Sequence, residues 1–169
     1  MHYPTRSFSL GPYVLSNETP PVFFAEIGGF FGQDIDLARD MIRRIIQVGR
    51  EVPQQPMILK TEILHDIDIC LPGATMETYA AKDGRVQQEN YRSLIERKVV
   101  PLDHYAQLLQ LCRDEGMPFL VSVYDFVGAD FAVQQGAVAL KLASPNIVHI
   151  PLLRHCGGKG LPVVIDTGR

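Results

Sequence analysis

The chain has no tryptophan, only three cysteines and no excess of basic residues. Each shortage excludes something. Cys70, Cys112 and Cys156 are odd in number and widely spaced, so they build neither a disulfide framework nor a zinc site and read as small, reduced core residues of a cytoplasmic protein. Net charge is −3, from 16 Lys and Arg against 19 Asp and Glu, which leaves no basic surface for nucleic acid. The apolar runs fall well short of the roughly 20 residues that span a membrane. The opening Met1-His-Tyr-Pro-Thr-Arg6 lacks the charged-then-apolar layout of a signal peptide. Tandem repeats and low-complexity tracts are absent too.

What is present is ordinary globular material: 169 residues, 46% apolar and 21% charged, enough for one domain with a sizeable core. Residues 1–21 read as an N-terminal arm, with a short hairpin over Ser7–Leu15 and a turn at Asn17–Pro21. Residues 22–169 read as five βα units. Val22–Gly28 is a buried-type strand, and Asp34 is placed to cap a helix whose apolar face is Ile35, Ala38, Met41, Ile42, Ile45 and Ile46, stopped at Gly49. Pro56–Ile63 is the second strand. Residues 64–101 make a long connection with a turn at Lys82-Asp-Gly-Arg85 and a short helix over Glu89–Lys98. Asp103 is expected to cap a helix closed by Gly116, with Tyr105, Leu108, Leu109 and Cys112 on one face. Pro118–Asp125 is the third strand, Ala129–Gln135 a helix closed by Gly136, and Ala139–Ser144 the fourth strand. Ile150–His155 lies in a helix that Gly157-Gly-Lys-Gly160 ends, and Leu161–Gly168 is the fifth strand. That glycine run follows a helix and precedes a strand, the reverse of a phosphate loop.

Strands alternating with helices imply an α/β fold with a parallel sheet. Polar residues gather at the C-terminal ends of the strands: Glu26, Lys60, Glu62, Ser122, Asp125, Lys141, Ser144, Asp166 and Thr167. In a (β/α)8 barrel that is the face that carries the active site. Five strands do not close such a barrel, which takes roughly 250 residues, so either the sheet is open or three units are missing. Within the set, Ala139-Leu-Lys-Leu-Ala-Ser-Pro-Asn146 is the most informative stretch. A lysine inside an apolar strand must be paired or neutralised, by a carboxylate of the fold or by an anionic ligand.

The ordered strand-end residues resemble the N-acetylneuraminate (sialic acid) synthase family, the NeuB-like enzymes. The resemblance rests on Ala25-Glu-Ile-Gly28, Asp34-Ile-Asp-Leu-Ala38, Lys60, Leu102 to Gly116, Phe119-Leu-Val-Ser-Val-Tyr-Asp125, Lys141-Leu-Ala-Ser144 and Pro162-Val-Val-Ile-Asp-Thr-Gly168. It implies a TIM-type (β/α)8 barrel, here a partial one. It also implies condensation of phosphoenolpyruvate with an N-acyl amino sugar of the N-acetylmannosamine type, giving a nine-carbon 2-keto acid and phosphate. Lys60, Lys141 and Ser144 would contact phosphoenolpyruvate, Ser122 would stand where the family has a threonine near that ligand, and Glu26 would face the sugar. A divalent metal, manganese or magnesium, is implied as well. Its histidine ligands and the family's antifreeze-like C-terminal domain fall outside these residues, so no metal-binding residue carries over.

Three departures stand out. Gly29-Phe-Phe-Gly-Gln33 replaces the family's Asn-His-Asn-Gly, Glu62 stands where glutamine is usual, and Asp166 stands where serine is usual. Asp166, followed by Thr167, brings a carboxylate toward the expected phosphate, unfavourable unless a lysine neutralises it. Glu26 and Asp125 are either sugar contacts or internal partners of Lys60 and Lys141. Three readings remain: a synthase-like enzyme, inactive without further barrel strands; a non-catalytic barrel half that binds an anion, a partner chain or a second copy; and an aldolase-type enzyme with a Schiff base on Lys60 or Lys141. The five histidines show no ligand spacing.

Overall fold

The computed structural model describes residues 6–81 and 83–168. Met1 to Thr5, with the opening layout read above, and Lys82 of the turn at 82–85 lie outside the described residues, as does Arg169. Strands β1 (Phe8–Leu10) and β2 (Tyr13–Leu15) form the expected antiparallel hairpin. Gly11 turns it at a φ of 57°, and a side chain there would collide with Val138, 2.8 Å from the position of a Cβ. The hairpin therefore sits directly on the sheet. Strand β3 spans Phe23–Gly28 and helix α1 Ile35–Glu51. Asp34 caps α1 by accepting from the Leu37 N–H at 2.9 Å, and Ala38, Ile42 and Ile46 are its buried positions. Gly49 does not stop the helix, which runs on to Glu51. A Cβ at Gly49 would stand 3.3 Å from the Met117 side chain, so the glycine serves close packing.

Strand β4 is Met57–Ile63. The long connection after it carries a second antiparallel hairpin, β5 (Met76–Ala80) with β6 (Val86–Asn90), and helix α2 (Tyr91–Glu96). The helix expected from Glu89 starts two residues later, because Glu89 and Asn90 complete β6 and the Asn90 side chain caps α2. Helix α3 (Leu102–Asp114) buries Tyr105, Leu108, Leu109 and Cys112. Its N-cap is Pro101, and Asp103 lies in the first turn. Strand β7 ends at Val123, two residues before its expected end, because Asp125 caps helix α4 (Phe126–Gln134). Strand β8 (Ala139–Leu142) is followed by a 3-10 turn at Ser144–Asn146 and helix α5 (Ile150–Gly157), which Gly158 caps. Strand β9 is Val163–Ile165, which leaves Asp166 and Thr167 beyond its end.

The main sheet runs β3-β4-β7-β8-β9, every pair parallel. Strand order follows chain order without the reversal that defines a doubly wound sheet. That is the arrangement of successive units of a (β/α)8 barrel, and the fold is an α/β partial barrel. One face of the sheet, with Ile27, Leu59, Ile63, Val121, Val123, Leu140 and Leu142, packs with α1, α3, α4 and α5 into the larger core. The alternate residues point to the other, inner face. There Ile58, Leu120 and Ala139 form a smaller apolar cluster with Leu10 of the hairpin, which covers the N-terminal end of that face. Cys70, Cys112 and Cys156 are all unbonded. Among the described residues no helix is long and apolar enough to cross a membrane.

Candidate functional site

The register of the sheet decides which strand-end residues share a surface. Glu26 lies beside Lys60, and one step further along the strands Glu62 lies beside Ser122 and Ser122 beside Lys141. Lys141 is aligned with Val164 on β9, so Asp166, two residues on, falls on the same face. The inner face therefore changes character along its length. Ile58, Leu120 and Ala139 form its apolar part under the hairpin, Glu26 and Lys60 lie level with Leu120 and Ala139 midway along it, and Glu62, Ser122 and Lys141 occupy the C-terminal end.

Two lysines carry two internal carboxylates. Lys60 is only 7% exposed and its amine is ion-paired with Glu26 Oε1. A cation buried to that extent requires such a partner. Lys141 Nζ stands 3.2 Å from Asp166 Oδ2, with side chains 18% and 47% exposed. The Asp166 N–H donates to the Leu142 carbonyl at 3.0 Å, which fixes the backbone from which that carboxylate reaches the lysine. Of the two acids expected to partner the lysines, Glu26 does so. Asp125 does not: its Oδ1 accepts the Gly128 N–H at 2.6 Å, capping α4, while its Oδ2 lies 3.0 Å from His65 Nε2. That ring nitrogen is buried and out of line for a hydrogen bond.

Glu62 faces a different partner. Tyr124 donates its phenol proton to Glu62 Oε2 at 2.6 Å. Burial raises the Tyr124 pKa, and the neighbouring Glu62 charge and hydrogen bond raise it further, so the phenol stays protonated and acts as a donor. The loop after β3 passes so close that a Cβ at Gly29 would lie 2.5 Å from Glu62 Oε1. In that loop Phe31 is buried and Phe30 is 81% exposed.

Beside the inner face, a cleft of about 840 Å³ opens between the ends of β4 and β7 and the long connection. Glu62, His65, Tyr124 and Asp125 line it from the strand ends, Arg92 and Lys98 from α2 and the segment after it. Glu62 thus belongs to both surfaces. Of the remaining candidates, Ser122 is buried, 2% exposed, between Glu62 and Lys141. Ser144 opens the 3-10 turn after β8 and is half-buried. Thr167 follows Asp166 and is exposed. Sequence reasoning passed over Tyr124, His65, Arg92 and Lys98. Tyr124 was hidden by the extension of β7 to Asp125; the capping aspartate was the signal that the strand ends earlier. Arg92 and Lys98 carry no periodic signal, since only the folding-back of the connection brings them to the cleft. Among the described residues, no three His, Cys, Asp or Glu side chains gather closely enough to hold a metal ion. The residues present do not fit the divalent metal that the resemblance implies.

A model of the NeuB family matches residues 59–169. The chain is 27% identical over 144 residues to the N,N'-diacetyllegionaminic acid synthase of Legionella pneumophila, covering 85% of this chain and 38% of that protein. It is 26% identical over 161 residues to the spore coat polysaccharide biosynthesis protein SpsE of Bacillus subtilis, covering 95% of this chain and 40% of that one. It therefore spans about two fifths of the length of these relatives. The fold matches the crystal structure of N-acetylneuraminic acid synthetase from Leptospira borgpetersenii in complex with citrate. The TM-score is 0.76 at 19% identity, over 99% of this chain and 52% of that one.

Proposed function

The chain belongs to the NeuB family, and from that premise we propose that it supplies the phosphoenolpyruvate-holding part of a cytoplasmic sialic-acid-synthase-like enzyme. The reaction is condensation of phosphoenolpyruvate with an N-acyl amino sugar of the N-acetylmannosamine type. The methylene carbon of phosphoenolpyruvate attacks the sugar's aldehyde carbon, water adds to the adjoining carbon, and phosphate leaves. The observation that carries this reading is the placing of two lysines on one face of the sheet, Lys60 midway along β4 and Lys141 one layer nearer the C-terminal end on β8. Phosphoenolpyruvate brings about three negative charges, and charge-assisted hydrogen bonds from ammonium groups hold such a ligand and stabilise charge that develops on its oxygens. In this reading Ser122, Ser144 and Thr167 add hydroxyl donors, Glu26 faces the sugar, and Glu62, held by Tyr124, accepts from sugar hydroxyls. A divalent metal belongs to the reading, with ligands outside this set of residues.

A closed barrel needs eight strands, and among the described residues the sheet has five, with β3 and β9 at open edges that favour association with further strands. These five units are therefore inactive alone in this reading, and further strands, from a longer gene product, a complementing chain or a second copy, would cover those edges. The test has two parts. Titration calorimetry of the 169-residue chain with phosphoenolpyruvate is expected to show binding, weakened at least tenfold by Lys141→Ala. A phosphate-release assay with phosphoenolpyruvate, N-acetylmannosamine and manganese is expected to show no turnover; turnover would overturn the claim that further strands are required. The second reading, a non-catalytic anion- or partner-binding barrel half, is favoured by Asp166, which neutralises Lys141 internally. It predicts that binding persists while turnover stays absent even with further barrel strands supplied.

A further inference from the structure

The two lysine pairs differ in how firmly each is held. The partner acids are alike, Glu26 being 45% exposed, but the Lys60 side chain is only 9% exposed, and at that depth its charge is tolerable only beside a partner. The Lys141 side chain is twice as open at 18%, and Asp166, beyond the end of β9, is 47% exposed. Water reaches both members, so their pairing is weak and separable. The Asp166 side chain is open to solvent on one side, which leaves its carboxylate free to swing outward, and the backbone hydrogen bond to Leu142 holds the main chain in place whether or not it does.

We propose that Asp166 is a resident counter-anion for Lys141: an incoming ligand reaches the lysine only by displacing this carboxylate, and Asp166 thereby selects against multiply charged anions at this strand end. The inference rests on the reading of Lys141 as an anion-binding residue and adds a specificity-determining neighbour to it. Displacement does not remove Asp166, because its backbone is tied to β8. The carboxylate stays within a few ångströms of the bound anion and repels it in proportion to the ligand's charge. A trianion such as phosphoenolpyruvate suffers more than a monoanion such as pyruvate.

The experiment compares phosphoenolpyruvate and pyruvate binding by calorimetry to the wild-type chain and to Asp166→Ser, Asp166→Asn, Asp166→Glu and Lys141→Ala, each checked for folding by circular dichroism. Asp166→Ser and Asp166→Asn are expected to tighten phosphoenolpyruvate roughly tenfold and pyruvate about twofold. Asp166→Glu keeps the charge and is expected to remain near wild type. A purely structural role would show the opposite pattern: every Asp166 variant weakening both ligands alike. If Lys141→Ala removes phosphoenolpyruvate binding while Asp166→Ser and Asp166→Asn leave it unchanged or weaker, the proposal fails and the anion site stands. If no variant, nor the wild type, binds phosphoenolpyruvate, both fail. Equal tightening for the two ligands would overturn the charge selection.

Discussion

The two ends of the inner sheet face use the same strands for opposite purposes. At the N-terminal end, Ile58, Leu120 and Ala139 are fully buried beneath Leu10 of the β1–β2 hairpin. Two residues further along the strands, the same face carries Glu62, Ser122 and Lys141, with Glu26 and Lys60 at the boundary, level with Leu120 and Ala139. The first end gains stability from apolar area removed from water. The second spends part of that gain on charges whose pairing returns little net stability. Placing both on one ladder means that the rigid, dry end fixes the geometry of the polar end, an arrangement that favours a preorganised site.

Substitutions can break this comparison. The largest effect is expected for Leu120→Ala, which removes a fully buried side chain from the dry end and should cost about 3 kcal/mol in urea unfolding. Leu120 stands beside Lys60 in the register, so some coupling follows, and phosphoenolpyruvate affinity of the folded fraction should fall by no more than about threefold. A large affinity loss at unchanged stability would reverse the assignment of the two ends.

Next comes a test of the helix-covered face against both. Tyr105 is 1% exposed, its hydroxyl accepts the Leu64 N–H at 3.2 Å just past β4, and burial pushes its pKa up to about 12 from 10. Its pKa is higher folded than unfolded. The stability this confers is complete below pH 10 and is lost as pH rises toward 12, because only the unfolded chain gives up the proton there. Unfolding measured across that window should show a loss of about 2 kcal/mol that Tyr105→Phe removes.

The smallest and sharpest contrast lies between the two acids. Glu26→Gln strands a buried lysine and should cost about 1–2 kcal/mol, whereas Asp166→Asn, at an open pair, should change stability by less than about 0.5 kcal/mol. Equal losses in thermal or urea unfolding would erase the distinction between a fixed and a displaceable pair.

Much of this architecture was legible in the chain. The alternation of strands and helices, the hairpin at Phe8–Leu15, the Asp34 cap and the buried face of α3 all follow from local rules of period, capping and turn formation. The misplacements were local as well. Gly49 read as a helix stop because glycine usually is one, yet here it admits Met117 against α1. Asp125 read as the end of a strand, yet as the cap of α4 it shortens β7. The β5–β6 hairpin went unseen because its residues are mostly exposed and so lack the apolar alternation that marks a half-buried strand.

The candidate site divides along the same line. The sequence by itself determined that Glu62, Ser122, Lys141 and Asp166 stand at or just past strand ends, because period-two alternation and strand length depend only on neighbouring residues; Glu26 and Lys60, also read as strand-end residues, stand midway along β3 and β4. The tertiary structure alone decided who partners whom: Lys60 with Glu26, Lys141 with Asp166, Glu62 with Tyr124. Those pairings depend on register between strands that are tens of residues apart, which is set by how the apolar faces of α1, α3, α4 and α5 seat on the sheet. No short-range pattern encodes that packing, and through it Asp125 turned toward His65 while Asp166 reached the lysine.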